Sequence, residues 1–414
     1  MQSTSQSTSS TDTELYSMRF VDGHYEMVED GYSDPEPILH LFSRGEDMCQ
    51  QHIRVDGYHP YFCVRLTEAL NRHEQLNNDH RVRRIETVEK DESAITTNVG
   101  GGFGETIRLA KIYTIKPYHV RGLRENFEDK WEADVRFVDR FCYDTDIVDS
   151  FAVPRERLGS DEPLSADEIV TEDVACTTTP RIAYIDIEVC QNKVLTHRNG
   201  SSNREVYQSS DGPSVVSERG KELADNPITA ISLYDNYTST YYSWILSHET
   251  NSADDYHIDT EVRSNIEIFD TEWGLLSAFA SHIKAYRYDI WTAWNMDFDA
   301  PYLINRYFTL DHMDVFNLSP TRGVQSMDGS GKWINGDIEG VLLFDLLTAY
   351  EKCQIHELSD SRLETVAAAE TDIEKLSIDG IDDAWVSRPS EFVEYSIRDV
   401  EAIVAINDAV GILT

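Results

Sequence analysis

RIAYIDIEV, residues 181 to 189, is the stretch on which the fold reading turns. It is rich in β-branched and aliphatic residues, as a buried strand is. Side chains alternate across a strand, so Asp186 and Glu188 share one face with Ile182 and Tyr184. Ala183, Ile185, Ile187 and Val189 form the opposite, apolar face. Two carboxylates side by side on a core strand repel each other, and loss of water raises the cost. A strand emerging into solvent avoids that cost, and so does a bound divalent cation. The DxE pattern alone does not choose between them.

Downstream, residues 192 to 226 are polar and rich in Gly and Ser, which reads as a long surface loop. ITAISLY (228 to 234) and STYYSWIL (239 to 246) read as strands, and EWGLLSAFASHIKAY (272 to 286) has apolar residues at helical spacing. DIWTAW (289 to 294) is a strand again, and APYLINRYF (300 to 308) is a helix opened by Pro301. GVLLFDLLTAYEK (340 to 352) begins as a buried strand and turns helical, and helices follow at 361 to 370 and 389 to 413. Alternating strands and helices predict an α/β domain over 181–414. Upstream, short runs such as YFCVRL (61 to 66) and IRLAKIYTI (107 to 115) predict a β-rich domain over 17–148. Residues 149–180 are acidic, Pro/Thr-rich and aperiodic, hence a linker, and 1–16 a disordered polar tail. Gly100, Gly101, Gly102 and Gly104 read as a hairpin loop, since no Lys-Ser/Thr follows as a phosphate loop requires.

A hydrophobic content of 40% with 10% aromatics suits a folded globular chain. No run approaches the roughly 18 apolar residues of a membrane span, and the first residues lack the basic and apolar parts of a signal peptide. A cytoplasmic protein without a membrane partner is expected. The six cysteines are scattered with no CxxC pair, so reduced thiols are expected. Acidic residues number 75 against 36 basic, a formal net charge of -39, and the basic residues are 26 Arg to 10 Lys. In dilute salt such a surface repels nucleic acid, whose binding normally rests on basic patches. A salt-rich environment removes that objection, because the Debye length falls to about 3 Å at 1 M. The acidic residues are spread over both halves, which favours a halophilic source. The fold is then expected to loosen below about 0.5 M salt, where screening weakens. A KCl series of unfolding curves measures this, and full stability in dilute buffer contradicts it.

Two further acidic clusters follow the first. In TAWNMDFDAPYLINR (292 to 306), a strand runs into a turn bearing Asn295, Asp297 and Asp299. Helix capping is the plain alternative, since Asp and Asn both suit an N-cap. In EYSIRDVEA (394 to 402), Tyr395 and Asp399 are four apart, hence stacked on one helix face with Cβ atoms about 6 Å apart. An ordinary helix surface is the plain alternative there.

In this order, DxE, then Asn…Phe-Asp-x-Pro-Tyr-Leu, then Tyr-x3-Asp resembles the three exonuclease motifs of family B DNA polymerases. KWEADVRFVDRFCYDTDI (130 to 147), KIYTIKPYHVRGLRENF (111 to 127) and FDTEWGLL also fall in family order, so the likeness runs from about Tyr58 to Leu413. It implies an α/β (α+β overall) chain: an RNase H-like 3′→5′ exonuclease domain with a mixed central sheet, preceded by a β-rich domain. It implies proofreading of DNA 3′ ends in replication, with Asp186, Glu188, Asp299 and Asp399 holding two Mg2+ or Mn2+ ions. Tyr395 would orient the attacking water and Asn295 would lie beside the primer 3′ end. Phe298 would pack near the terminal nucleotide, with core packing as the alternative. One spacing departs: the family usually sets the second-motif Asp five residues after the Asn, whereas Asn295 and Asp299 are four apart. The family's palm, fingers and thumb have no counterpart in these 414 residues, so polymerisation is expected to need a further part. The implied partners are single-stranded 3′ ends, primer–template DNA, that polymerising portion and a sliding clamp. A free-standing 3′→5′ exonuclease and a non-catalytic DNA- or polymerase-binding scaffold are the other readings.

Overall fold

The computed structural model describes residues 14–91 except 30 and 32, then 106–190, 224–256, 264–327, 333–353, 358–373, 378 and 380–413. The glycine cluster at 100–104 and all but the end of the 192–226 loop lie outside these residues. The chain divides into two compact units, Met1–Thr179 and Pro180–Thr414.

Among its described residues the first unit holds two sheets. One has the order β8-β1-β2-β3-β9, from Ser150–Pro154 (β8), Leu15–Val28 (β1), Glu36–Gly45 (β2), Gln50–Asp56 (β3) and Leu164–Ser165 (β9). The other has the order β5-β6-β4-β7, from Val82–Asp91 (β5), Thr106–Thr114 (β6), Tyr61–Arg65 (β4) and Lys130–Trp131 (β7). Helices α1 (Leu66–Asn71), α2 (His73–Asn77), α3 (Pro117–Arg124) and α4 (Phe137–Asp144) complete it. Apolar residues of one sheet face, including Met18, Leu39, Leu41 and Val55, pack with Phe137 and Phe141 of α4.

Two expectations change here. The tail ends sooner than 16, because β1 begins at Leu15 and Tyr16 is buried. The stretch 149–180 is not an open linker: Ser150–Pro154 pairs antiparallel with Leu15–Arg19, and Leu164 and Ser165 pair with Val55 and Asp56. Phe151, Ala152 and Val153 are fully buried. Composition could not reveal this, because the pairing partner of β8 lies at the other end of the unit.

In the second unit a six-stranded sheet has the order β13-β12-β11-β10-β14-β17. Its strands are Ile182–Val189 (β10), Ile228–Asp235 (β11), Thr240–Leu246 (β12), Ser264–Phe269 (β13), Ile290–Ala293 (β14) and Leu342–Asp345 (β17). A separate hairpin joins Val324–Met327 (β15) to Trp333–Ile338 (β16). β10, β11 and β12 run antiparallel in succession, whereas β14 pairs parallel with β10, β17 with β14, and β13 with β12. The sheet is mixed, with the DxE strand inside it.

The apolar face of that strand is buried, as its alternation predicts, and the start of the other face is covered as well. Ala183, Ile185, Ile187 and Val189 join a core with Leu275, Leu276 and Phe279 of α5 (Glu272–Tyr286) and Leu303, Ile304 and Tyr307 of α6 (Met296–Thr309). Ile182 and Tyr184 join the opposite core. That core draws on α7 (Leu346–Cys353), α8 (Leu363–Glu370) and the long C-terminal helix, Pro389–Val410. A short helix, Ile381–Ser387 (α9), was not anticipated, and makes the C-terminal helix α10.

α5 has the boundaries its periodicity predicts. The Thr271 hydroxyl caps it by accepting from the Gly274 amide, and Arg287 ends it in the left-handed region at φ 53°. α6 differs: it starts at Met296, and Pro301 sits inside it. The Asn295 carbonyl accepts from the amides of both Phe298 and Asp299, so the first turn closes before the proline. Pro301 lacks the amide that would otherwise bond the Asp297 carbonyl.

His282 on α5 lies among Tyr242, Trp244, Tyr286 and Tyr288, with Nε2 2.9 Å from the Tyr288 hydroxyl. Burial lowers its pKa to about 4. The unfolded chain therefore binds the proton first, near the ordinary value of about 6.5. This contribution is intact above that value and declines as pH falls towards 4. Replacing His282 by Phe should flatten the fall in unfolding free energy between pH 6.5 and 4; an unchanged slope contradicts the assignment.

Candidate active site

β10 outruns its parallel neighbour. β14 pairs with Ile182, Ala183 and Tyr184, then turns away at Trp294 into α6. The backbone of β10 beyond Tyr184 is thus open on that side. Its Ile187 amide donates to Asp299 Oδ1 at 3.3 Å. Asp299, buried in the first turns of α6, is in this way set against the strand between Asp186 and Glu188.

α10 supplies the other side. Pro389 opens it, and Gly411, at φ 69°, closes it with its amide donating to the Asn407 carbonyl at 2.7 Å. Asp399 is buried on its sheet-facing side. Carboxylate oxygens of Asp186, Glu188 and Asp399 all lie within 4.8 Å of one another. Asp299 stands outside that trio, as a neighbour held through the Ile187 amide. Tyr395, one turn before Asp399 and half-buried, hydrogen-bonds to it. Burial, then the charges of Glu188 and Asp399, push the Tyr395 phenol far above its ordinary value. Three carboxylates this close, with a protonated phenol at their edge, form a site suited to hard cations and to orienting a water molecule.

The two remaining candidates sit at the start of α6. Asn295 occupies the N-cap position but its side chain makes no capping bond, and it is exposed. Capping therefore does not account for it. Phe298 is half-buried, stacks on Tyr302 at a centroid distance of 5.5 Å and packs against the core. Asp297 is exposed beside them. One anchor of this helix was not read from the sequence. Arg306 donates to both carboxylate oxygens of Glu272, at 2.7 and 2.6 Å, and to the carbonyls of Ala224 and Asp225. Glu272 in turn accepts from the Ile228 amide. Both side chains are 4% exposed, and 34 residues separate them, a distance at which no local pattern signals a pair. All six cysteines are free thiols, and no helix among the described residues is long and apolar enough to cross a membrane.

A sequence profile described as "DNA polymerase family B, exonuclease domain" matches residues 128–366. DNA polymerase 1 of Sulfolobus acidocaldarius is 25% identical over 357 residues, 83% of this chain and 38% of that protein. The DNA-directed DNA polymerase of Enterobacteria phage T4 is 32% identical over 153 residues, 35% of this chain and 17% of the relative. This chain thus spans well under half the length of these relatives. Among solved structures, the family B DNA polymerase of Pyrobaculum calidifontis superposes with a TM-score of 0.64 at 18% identity, covering 94% of this chain and 45% of the other. With its mixed sheet and the matched profile, this chain belongs to the exonuclease-domain family of the family B DNA polymerases.

Proposed function

We propose that the chain hydrolyses the 3′-terminal phosphodiester of DNA, in the 3′→5′ direction, as the proofreading portion of a family B DNA polymerase acting in replication. The observation that carries this reading is the convergence of Asp186, Glu188 and Asp399 within 4.8 Å, from a strand and a helix far apart in sequence. The donors are all carboxylate oxygens, with no His or Cys in the group, which fits Mg2+ or Mn2+ better than Zn2+. Asp186, Glu188 and Asp399, with Asp299 beside them, would hold two such ions. Bound there, the ions would supply neutralising charge at the phosphodiester and an acidified water.

The protein's own groups have separable parts. The Tyr395 phenol stays protonated at neutral pH, so it is not the base; with its proton given to Asp399, its oxygen would orient the water by accepting from it. The Ile187 amide fixes the Asp299 carboxylate against the strand. Asn295 and Phe298, at the start of the same helix, would meet the primer's last nucleotide. A salt-rich cell interior would allow a chain of net charge -39 to approach DNA. A polymerising portion and a sliding clamp are the partners this reading asks for.

The test is incubation of the purified chain with 3′-labelled single-stranded DNA, Mg2+ and molar KCl. Mononucleotide release is expected. Absence of release, or release indifferent to the loss of Asp186, overturns the reading.

A further inference from the structure

Tyr395, Asp399, Ile403 and Asn407 are spaced four apart and form one ridge along α10. On β10, Tyr184, Asp186 and Glu188 share a face. The two rows run in opposite directions. At one end Asp399 meets Asp186 and Glu188. At the other, Asn407 Nδ2 donates to the Tyr184 hydroxyl at 2.9 Å, in a fully buried bond. Between them lies Ile403, which is 0% exposed. The Asn407 carboxamide is itself fixed, because its Oδ1 accepts from the Leu413 amide at 2.8 Å and its Nδ2 also donates to the Leu413 carbonyl. Beside that bond the helix and strand meet through apolar side chains, including Ile182, Val400, Ile403 and Ile406. Apolar contacts tolerate a small rotation or slide of a helix on a sheet, whereas a buried directional bond does not. The mutual repulsion of three close carboxylates favours such a slide.

We propose that Tyr184 and Asn407 are positioning residues of the carboxylate site: their hydrogen bond fixes α10 on β10 in the register that brings Asp399 to Asp186 and Glu188. Neither side chain is assigned to touch metal or DNA. The bond acts on the arrangement of the ligands, as outer hydrogen bonds do in metal sites. This inference rests on the metal-binding reading above.

The test is calorimetric titration of the whole chain with Mn2+ in molar KCl, beside Asp186→Ala, Tyr184→Phe, Asn407→Ala and the Tyr184→Phe/Asn407→Ala double variant. Tyr184→Phe removes one hydroxyl and keeps the ring packed, so it stays informative if Asn407→Ala misfolds. The wild type should bind Mn2+ and Asp186→Ala should lose that binding. Tyr184→Phe and Asn407→Ala should each bind about tenfold more weakly. The double variant should be no weaker than the poorer single one, because both act through one bond. With DNA ends, kcat should fall while KM holds. If the wild type binds Mn2+ and both single variants match it, the positioning role is overturned and the metal reading stands. If the wild type binds no more Mn2+ than Asp186→Ala, the metal reading fails and this inference with it. A lowered unfolding midpoint with unchanged Mn2+ affinity assigns the bond to stability alone, and also overturns the proposal.

Discussion

Replacing Asp186 by alanine should lower 3′-end hydrolysis by about 10³-fold without destabilising the fold. Such a loss corresponds to about 4 kcal/mol of transition-state stabilisation, at 1.36 kcal/mol per tenfold. The stability half of the prediction follows from the site itself. Asp186, Glu188 and Asp399 lie within 4.8 Å of one another, so deleting one charge relieves repulsion in the metal-free protein. Activity and stability should move in opposite directions. Single-turnover cleavage and equilibrium unfolding in molar KCl measure the two. A loss of activity matched by a loss of folding would mean that Asp186 serves the strand and not the chemistry.

The largest effect on stability is expected outside that carboxylate trio, at Arg306. Replacing it by alanine leaves the Glu272 carboxylate buried without its cation, a situation that typically costs about 3–5 kcal/mol. The same change frees the carbonyls of Ala224 and Asp225, which Arg306 now satisfies. Because both partners are buried, added salt screens this pair little. The effect should therefore persist in molar KCl, unlike that of an exposed pair such as Arg136–Asp139. A double replacement, Arg306→Met with Glu272→Leu, should recover much of the loss, since an apolar pair leaves no orphaned charge. Urea midpoints decide it; an unchanged midpoint for Arg306→Ala would contradict the anchoring role.

What the sequence made legible follows the reach of each physical signal. Strand alternation alone separated Asp186 and Glu188 from the apolar face, and that apolar face lies in the core. Helical periodicity fixed α5 from 272 to 286, and the switch from strand to helix near Leu346 was visible in GVLLFDLLTAYEK. Signals that depend on distant partners were silent. The pairing of β8 with β1 made strand out of an acidic stretch that reads as linker. Asn295's backbone carbonyl, not Pro301, opens α6, because its two accepted bonds close the turn first. At the site, the order of three motifs pointed to four carboxylates. The geometry groups three of them, with Asp299 held alongside by an amide that no side-chain pattern encodes. The bonds of Arg306 and Asn407 were equally invisible, since their partners lie 34 and 223 residues away.

Asp186, Glu188 and Asp399, with Asp299 alongside, should act together as a divalent-metal site. Anomalous scattering from crystals soaked in Mn2+ reads this out. Density bounded by Asp186, Glu188 and Asp399, extending towards Asp299, is the predicted result. Mn2+ ordered only elsewhere on the acidic surface, with those four side chains unoccupied, would contradict it.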